Sequence, residues 1–163
     1  EIDAARRSAL VAELAQATTA MIVGQVYDTL GGMEDDASLD RLHLIHRNKT
    51  GALLRAACRL GAIGGCASSE QLAGLTSYGE NMGLMFQIVD DLLDVTQSAE
   101  HIGKATGKDL SAGKLTFPGL LGIEKSRSEV ARLRNSAHDA IRAFGPAAQP
   151  LRDLCDTMAV RTK

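Results

Sequence analysis

Residues 84–95 read LMFQIVDDLLDV and are apolar except at Gln87, Asp90, Asp91 and Asp94. On a helix of about 3.6 residues per turn these exceptions form one stripe, which continues back towards Gly83 and Glu80. Carboxylates at i, i+1 and i+4 repel one another, and each is costly to take out of water unpaired. A bound cation would resolve both problems. Every candidate ligand is an oxygen, a chemistry that suits a hard divalent ion such as Mg²⁺ rather than zinc. Mg²⁺ keeps some of its waters and bridges a few carboxylates to substrate phosphates, so Asp90, Asp91 and Asp94 are read as metal ligands of a diphosphate site. The bland alternative is a solvated acidic face on a surface helix. Against it, the rest of this helix has no polar face to spare, and the spacing does not fit a calcium-binding loop.

Two other segments interrupt an apolar face in the same way. Lys49, followed by Thr50, falls between Ile45 and Leu53 at helical spacing, and Gln25 follows Met21, with Asp28 one turn further on. A single Lys on such a face usually snorkels to solvent. Interruptions on separate helices together imply a shared polar cavity. Residues 101–114, HIGKATGKDLSAGK, then supply Lys104, Lys108 and Lys114, each preceded by Gly. Glycine lets backbone amides approach an anion, and Lys offers compact positive charge to phosphate oxygens. The pattern is not a Walker A loop, because no Gly-Lys pair here is followed by Ser or Thr. A flexible surface loop is the commoner source of such composition. His43 and His46 lie one turn apart but lack a third ligand, and are read as structural.

The elements that must position these groups are all helical. Residues 4–30 carry Leu10, Leu14, Ala17, Met21 and Gln25 on one face and should end at Gly31 and Gly32. Ser38 caps a second helix whose buried face is Leu42, Ile45, Lys49, Leu53, Ala56 and Leu60, closed by Gly61, Gly64 and Gly65. Ser68 and Gln71 have capping-box spacing and open the longest helix, expected to run to about residue 97. After the Gly/Lys-rich loop, Thr116 and Pro118 restart a helix that should stop before Gly145 and Pro146, and a last amphipathic helix covers residues 147–160. No strand-like alternation, repeat or low-complexity linker interrupts this order.

Composition agrees. The chain has 163 residues, 45% hydrophobic and only 3% aromatic, which fits one Ala- and Leu-rich helical domain. A net charge of −2 gives no general reason to bind nucleic acid or an anionic membrane, so phosphate chemistry must come from local clusters. No apolar run is expected to reach transmembrane length, and the opening residues Glu1-Ile2-Asp3 do not read as a signal-peptide h-region. Cys58, Cys66 and Cys155 lack metal-ligand spacing and are expected to be buried thiols, which points to a reducing, cytoplasmic location.

With Phe86-Gln87, the Asp90-Asp91-Leu92-Leu93-Asp94 run, Gly103-Lys104, Asp109 and the stretch from Gly113-Lys114 to Phe117-Pro118 in view, the chain resembles the trans-isoprenyl diphosphate synthases. These segments are similar to that family's second aspartate-rich motif and the lysine-bearing loop after it. Gly24-Gln25 with Asp28 resembles its Gly-Gln helix, and the stretch from His46 through Lys49-Thr50 to Leu53 its Lys-Thr motif. The bacterial geranylgeranyl and farnesyl diphosphate synthases are nearest in look. The resemblance implies an all-α helical bundle of the isoprenoid synthase type, a homodimer, and condensation of isopentenyl diphosphate with an allylic diphosphate through Mg²⁺-assisted departure and an allylic carbocation. Asp90 and Asp94 would bind Mg²⁺ with Asp91 in support, Lys49, Lys104 and Lys114 would contact the allylic diphosphate, and Gln25, Gln87 and Thr50 would orient ligand or cation.

One departure stands out. The family's first aspartate-rich motif, upstream of the Gly-Gln helix, has no match here; the Asp35-Asp36 to Asp40 cluster has the wrong spacing and lies downstream. With no initiator Met, the chain is expected to be the C-terminal portion of a larger helical domain, with its N-terminal helices missing, and inactive alone. The alternative is a non-catalytic regulatory subunit of a heteromeric synthase. A helical interaction protein with fortuitous acidic residues would show no Mg²⁺-dependent diphosphate binding.

Overall fold

The computed structural model describes residues 2–30, 38–101 and 115–161, of residues 30 and 97–101 the backbone course alone, and these residues form helices and turns without a strand. The Gly31-Gly32 stop, the acidic cluster around Asp35 and the Lys104, Lys108, Asp109 and Lys114 segment lie outside the described residues.

Helix α1 spans Ala4–Leu30 and α2 spans Leu39–His46, with Ser38 Oγ accepting from the Arg41 amide at 3.3 Å as its cap requires. A π-helical turn, Arg47–Gly51, joins α2 to α3, Ala52–Gly64, without a break in the rod. Helix α4, Ser69–His101, starts from the expected reciprocal cap, in which the Ser68 amide donates to Gln71 Oε1 at 2.9 Å and the Gln71 amide to Ser68 Oγ at 3.2 Å. The downstream helix is not the single element that the sequence predicts. It is divided into α5, Phe117–Leu121, and α6, Ile123–Ala140, by Gly122 at φ +82°, a conformation that breaks the helical ladder and that glycine adopts without a Cβ penalty. A 3₁₀ segment, Arg142–Ala148, leads into α7, Gln149–Ala159.

Helix α4 is the hub. Its residues Tyr78, Met82, Met85 and Ile88 pack with Leu42 of α2, Phe117 of α5, Leu133 and Ala137 of α6, Ile141, and Cys155 of α7. Each fully buried side chain of Met or Ile size contributes about 1.5–3 kcal/mol, so this one cluster accounts for much of the hydrophobic stabilisation. The Tyr78 hydroxyl, buried in it, donates to the Leu151 carbonyl at 2.7 Å and so ties α7 to α4. A smaller cluster of Ala17, Ala52 and Ala56 packs α1 on α3, where only small side chains fit between the helices.

The buried face of α1 differs from the one the apolar spacing predicts. It runs through Glu13, Ala17, Gly24 and Asp28, while Leu14 and Gln25 are exposed. Val11, Ile22 and Val26 face outward as well, Val11 at 69% and Ile22 at 55% exposure. By length and hydropathy alone residues 4–29 could cross a membrane, which the sequence reading did not expect. The polar contacts of Glu13 and Asp28 on the inner face show that one side of this helix is committed to protein. The cysteines also depart from expectation: Cys155 is buried, Cys58 half-buried and Cys66 exposed, all free.

Candidate diphosphate site

The site is built where three helices cross at glycines. A Cβ on Gly24 of α1 would lie 2.3 Å from the Lys49 amide nitrogen, and one on Gly83 of α4 would lie 2.6 Å from Gly51 Cα. Since real Cβ atoms do not approach that closely, only glycine admits the π turn between α1 and α4. The turn is thereby wedged from both sides. π-Turns are rare and collect at functional sites, and this one carries Lys49 and Thr50. Lys49 Nζ meets Asp28 Oδ2 at 2.5 Å, both side chains partly exposed, so the ammonium is anchored with its remaining donors open.

From Gly83, the line along α4 continues through Gln87, Asp90 and Asp94, all within about 60° of one another at 100° per residue and rising about 10 Å from Gly83 to Asp90. Gln87 is half-buried, whereas Asp90 and Asp94 are exposed. Asp90 Oδ1 accepts from Arg161 Nη2 at 2.6 Å, and the same guanidinium lies 4.4 Å over the Phe86 ring. A positive charge therefore stands at the Asp90 carboxylate. Acceptor-only oxygens, exposure and a stand-in positive charge fit a hard divalent ion at Asp90 and Asp94.

Asp91 does not share that face, contrary to the expectation of three ligands in one stripe. One residue turns a helix by about 100°, which drives Asp91 inward to 5% exposure. There Oδ2 accepts from the Phe117 amide at 3.0 Å and faces His46 Nε2 at 3.8 Å. Glu80, one turn before Gly83 on the same line, is paired with Arg47 at 3.4 Å and Arg55 at 3.5 Å. Gln25 is exposed and not on the buried face; its amide donates to Thr29 Oγ1 at 2.7 Å.

Arg59 braces the rear of the site. Its Nε donates to Glu13 Oε2 and its Nη1 to Thr76 Oγ1, each at 2.8 Å, linking α1, α3 and α4. The hydrogen bonds from Arg59 hold the Glu13 carboxyl below the usual range. The cluster of His138, Cys155 and Asp156 at the α6–α7 contact has donor types that a metal could use. Asp156 is instead satisfied by Arg134 at 2.6 Å and His138 at 2.8 Å, and burial pushes the Cys155 thiol up to about 11.

Sequence reasoning missed Arg161, the His46–Asp91 pairing and the π turn. A usable signal for the last was present: Gly24, Gly51 and Gly83 stand in helix interiors, where glycine costs about 1 kcal/mol and marks close backbone approach.

Fold and site together define an all-α chain with a Lys-Thr turn set beside an aspartate face, the isoprenoid synthase type of architecture. The chain belongs to the polyprenyl synthetase family, whose model matches residues 2–143. Geranylgeranyl pyrophosphate synthase 11, chloroplastic, of Arabidopsis thaliana is 46% identical over 156 residues, which cover 93% of this chain and 44% of that protein. The structure of an FPP/GFPP synthase from Zymomonas mobilis superposes with a TM-score of 0.81 at 31% identity, over 96% of this chain and 52% of that one. A geranylgeranyl pyrophosphate synthetase from Pyrococcus horikoshii, at 23% identity, shares the fold with a TM-score of 0.82 over 99% of this chain and 61% of that one. The chain thus spans 44% to 61% of the length of these proteins.

Proposed function

We propose that this chain carries the C-terminal half of a prenyl diphosphate synthase site, condensing isopentenyl diphosphate with an allylic diphosphate to a geranylgeranyl- or farnesyl-type product. The observation that carries this reading is the crossing at Gly51 and Gly83, which sets Lys49-Thr50 beside the Gln87, Asp90 and Asp94 line. Asp90 and Asp94 would hold Mg²⁺, whose charge stabilises the departing diphosphate. Lys49, anchored by Asp28, adds its ammonium to the diphosphate oxygens, as Lys104 and Lys114 would by their place in the sequence. Gln25 and Thr50 orient the ligand, and the half-buried Gln87 presents its amide oxygen to positive charge developing on the allyl group. The apolar core below α4 keeps water from that side of the cation.

The outward apolar face of α1 supports cover by another helical surface, from the remaining length of the protein or from a homodimer partner. Three free thiols are compatible with a cytoplasmic setting.

Titration calorimetry with methylenediphosphonate tests the reading. Binding should require Mg²⁺ and fall away in Asp90→Ala; Mg²⁺-independent binding, or none, would overturn it. The chain alone should yield no product from radiolabelled isopentenyl diphosphate and an allylic primer, because one acidic face cannot clamp the leaving group.

A further inference from the structure

Asp91 stands between the two exposed aspartates in sequence, yet it is spent inside the molecule. A carboxylate taken almost wholly out of water is costly unless hydrogen-bonded and paired, and this one has a single backbone donor, the Phe117 amide at 3.0 Å. Its other neighbour is His46, 6% exposed, whose ring nitrogens both lack a hydrogen-bond partner among the described residues and whose Nε2 lies 3.8 Å from Asp91 Oδ2. The His46 ring stacks on Phe117, centroids 5.7 Å apart at 17°, and His43 meets the same ring edge-on at 5.2 Å. Phe117 is fully buried, held from two sides by imidazoles and at its amide by Asp91.

This arrangement connects the two parts of the site. His46 is the last residue of α2 and immediately precedes the π turn that carries Lys49. Asp91 adds a hydrogen bond to the packing that sets the rotation of α4 where Asp90 and Asp94 leave it. A rotation of α4 would swing both exposed carboxylates sideways, and metal sites lose affinity when the groups that orient their ligands are removed.

We propose that Asp91 is a positioning residue of the diphosphate site rather than a metal ligand, tying α4 to Phe117, on whose ring His46 at the edge of the Lys49 turn is stacked. The inference rests on the function proposed above. It assigns to the middle aspartate of the run a role that depends on hydrogen-bond acceptance and not on negative charge. Asparagine at 91 keeps an acceptor for the Phe117 amide, while alanine does not.

The test is therefore a comparison of Asp91→Asn, Asp91→Ala and Asp90→Asn in the chain, by calorimetry of Mg²⁺-dependent methylenediphosphonate binding and by amide hydrogen exchange at Phe117 without metal. Asp91→Asn should bind within about threefold of the wild type, whereas Asp91→Ala and Asp90→Asn should each lose about tenfold or more. Phe117 exchange should stay slow in Asp91→Asn and Asp90→Asn and accelerate in Asp91→Ala. Should Asp91→Asn lose as much affinity as Asp90→Asn while its Phe117 amide stays protected, Asp91 acts through its charge and the inference is overturned, with the proposed function intact. Failure of the wild type to bind at all overturns both. Unchanged Phe117 exchange in a folded Asp91→Ala overturns the tether itself.

Discussion

The backbone of Lys49 runs directly beneath Gly24, so closely that a methyl group on that glycine would stand 2.3 Å from the Lys49 amide nitrogen. Neither side can give way cheaply, because the obstructing atoms are main chain and the turn is held from behind by Gly83. Gly24→Ala should therefore destabilise the chain by about 3 kcal/mol, in the upper range of overpacking changes, and weaken Mg²⁺-dependent diphosphonate binding by moving Lys49. Chemical denaturation measures the first effect and calorimetry the second; a neutral Gly24→Ala would show that α1 and the turn are not in contact.

In the proposed function, Arg161 would compete with Mg²⁺ for Asp90, with which it pairs at 2.6 Å. A partly exposed ion pair contributes about 1 kcal/mol, which corresponds to about fivefold in an equilibrium constant. Arg161→Gln should accordingly lower the Mg²⁺ concentration needed for half-maximal diphosphonate binding by about that factor, with Arg161→Lys between it and the wild type. An increased Mg²⁺ requirement in Arg161→Gln would instead assign the guanidinium to the diphosphate.

Glu13 links acid stability to Arg59. Its carboxyl is depressed in the folded chain by the hydrogen bonds from Arg59, so the unfolded chain takes up the proton first as pH falls. The stabilisation is complete above about pH 4.5 and is lost as pH drops through the folded value. Thermal melts should show wild type above Glu13→Gln at pH 6, the gap narrowing as the pH is lowered below about 4.5. A gap that widens on acidification would contradict the pairing.

Cys66 ends α3 in the left-handed region, φ +58°, with the Ala67 amide donating to the Ala62 carbonyl at 2.9 Å. That is the position where helices favour glycine. Cys66→Gly should raise stability by about 1 kcal/mol and leave diphosphonate binding unchanged, as measured by denaturation and calorimetry.

Most of the helical frame was legible in the sequence because its signals are local. Ser38, the Ser68-Gln71 box and Thr116 each cap the helix that their type and spacing announce. The split at Gly122 was not legible, since an isolated glycine inside a helical pattern is tolerated and Gly122 stands between Leu121 and Ile123 without a further breaker. In the site, the Asp90 and Asp94 face followed from periodicity. The fate of Asp91 did not, because 100° of helix rotation leads to solvent or to the core depending on what packs there, and His46 and Phe117 are 45 residues behind and 26 ahead of it. Arg161 lies 71 residues beyond Asp90 and carries no local mark. On α1, Ala17 of the expected face is buried, but Leu14 and Gln25 are exposed and Gly24 makes the tight helix contact in their stead.

The π turn makes chain length itself a variable at this site. Deleting one residue from 47–51 would leave a hydrogen-bonded α-helical rod but turn α2 by about 100° against α3. Leu42 and His46 would leave Phe117 and Asp91, although no side chain of the core had been altered. Relatives with this architecture should thus tolerate substitutions in the turn more readily than any change in its length.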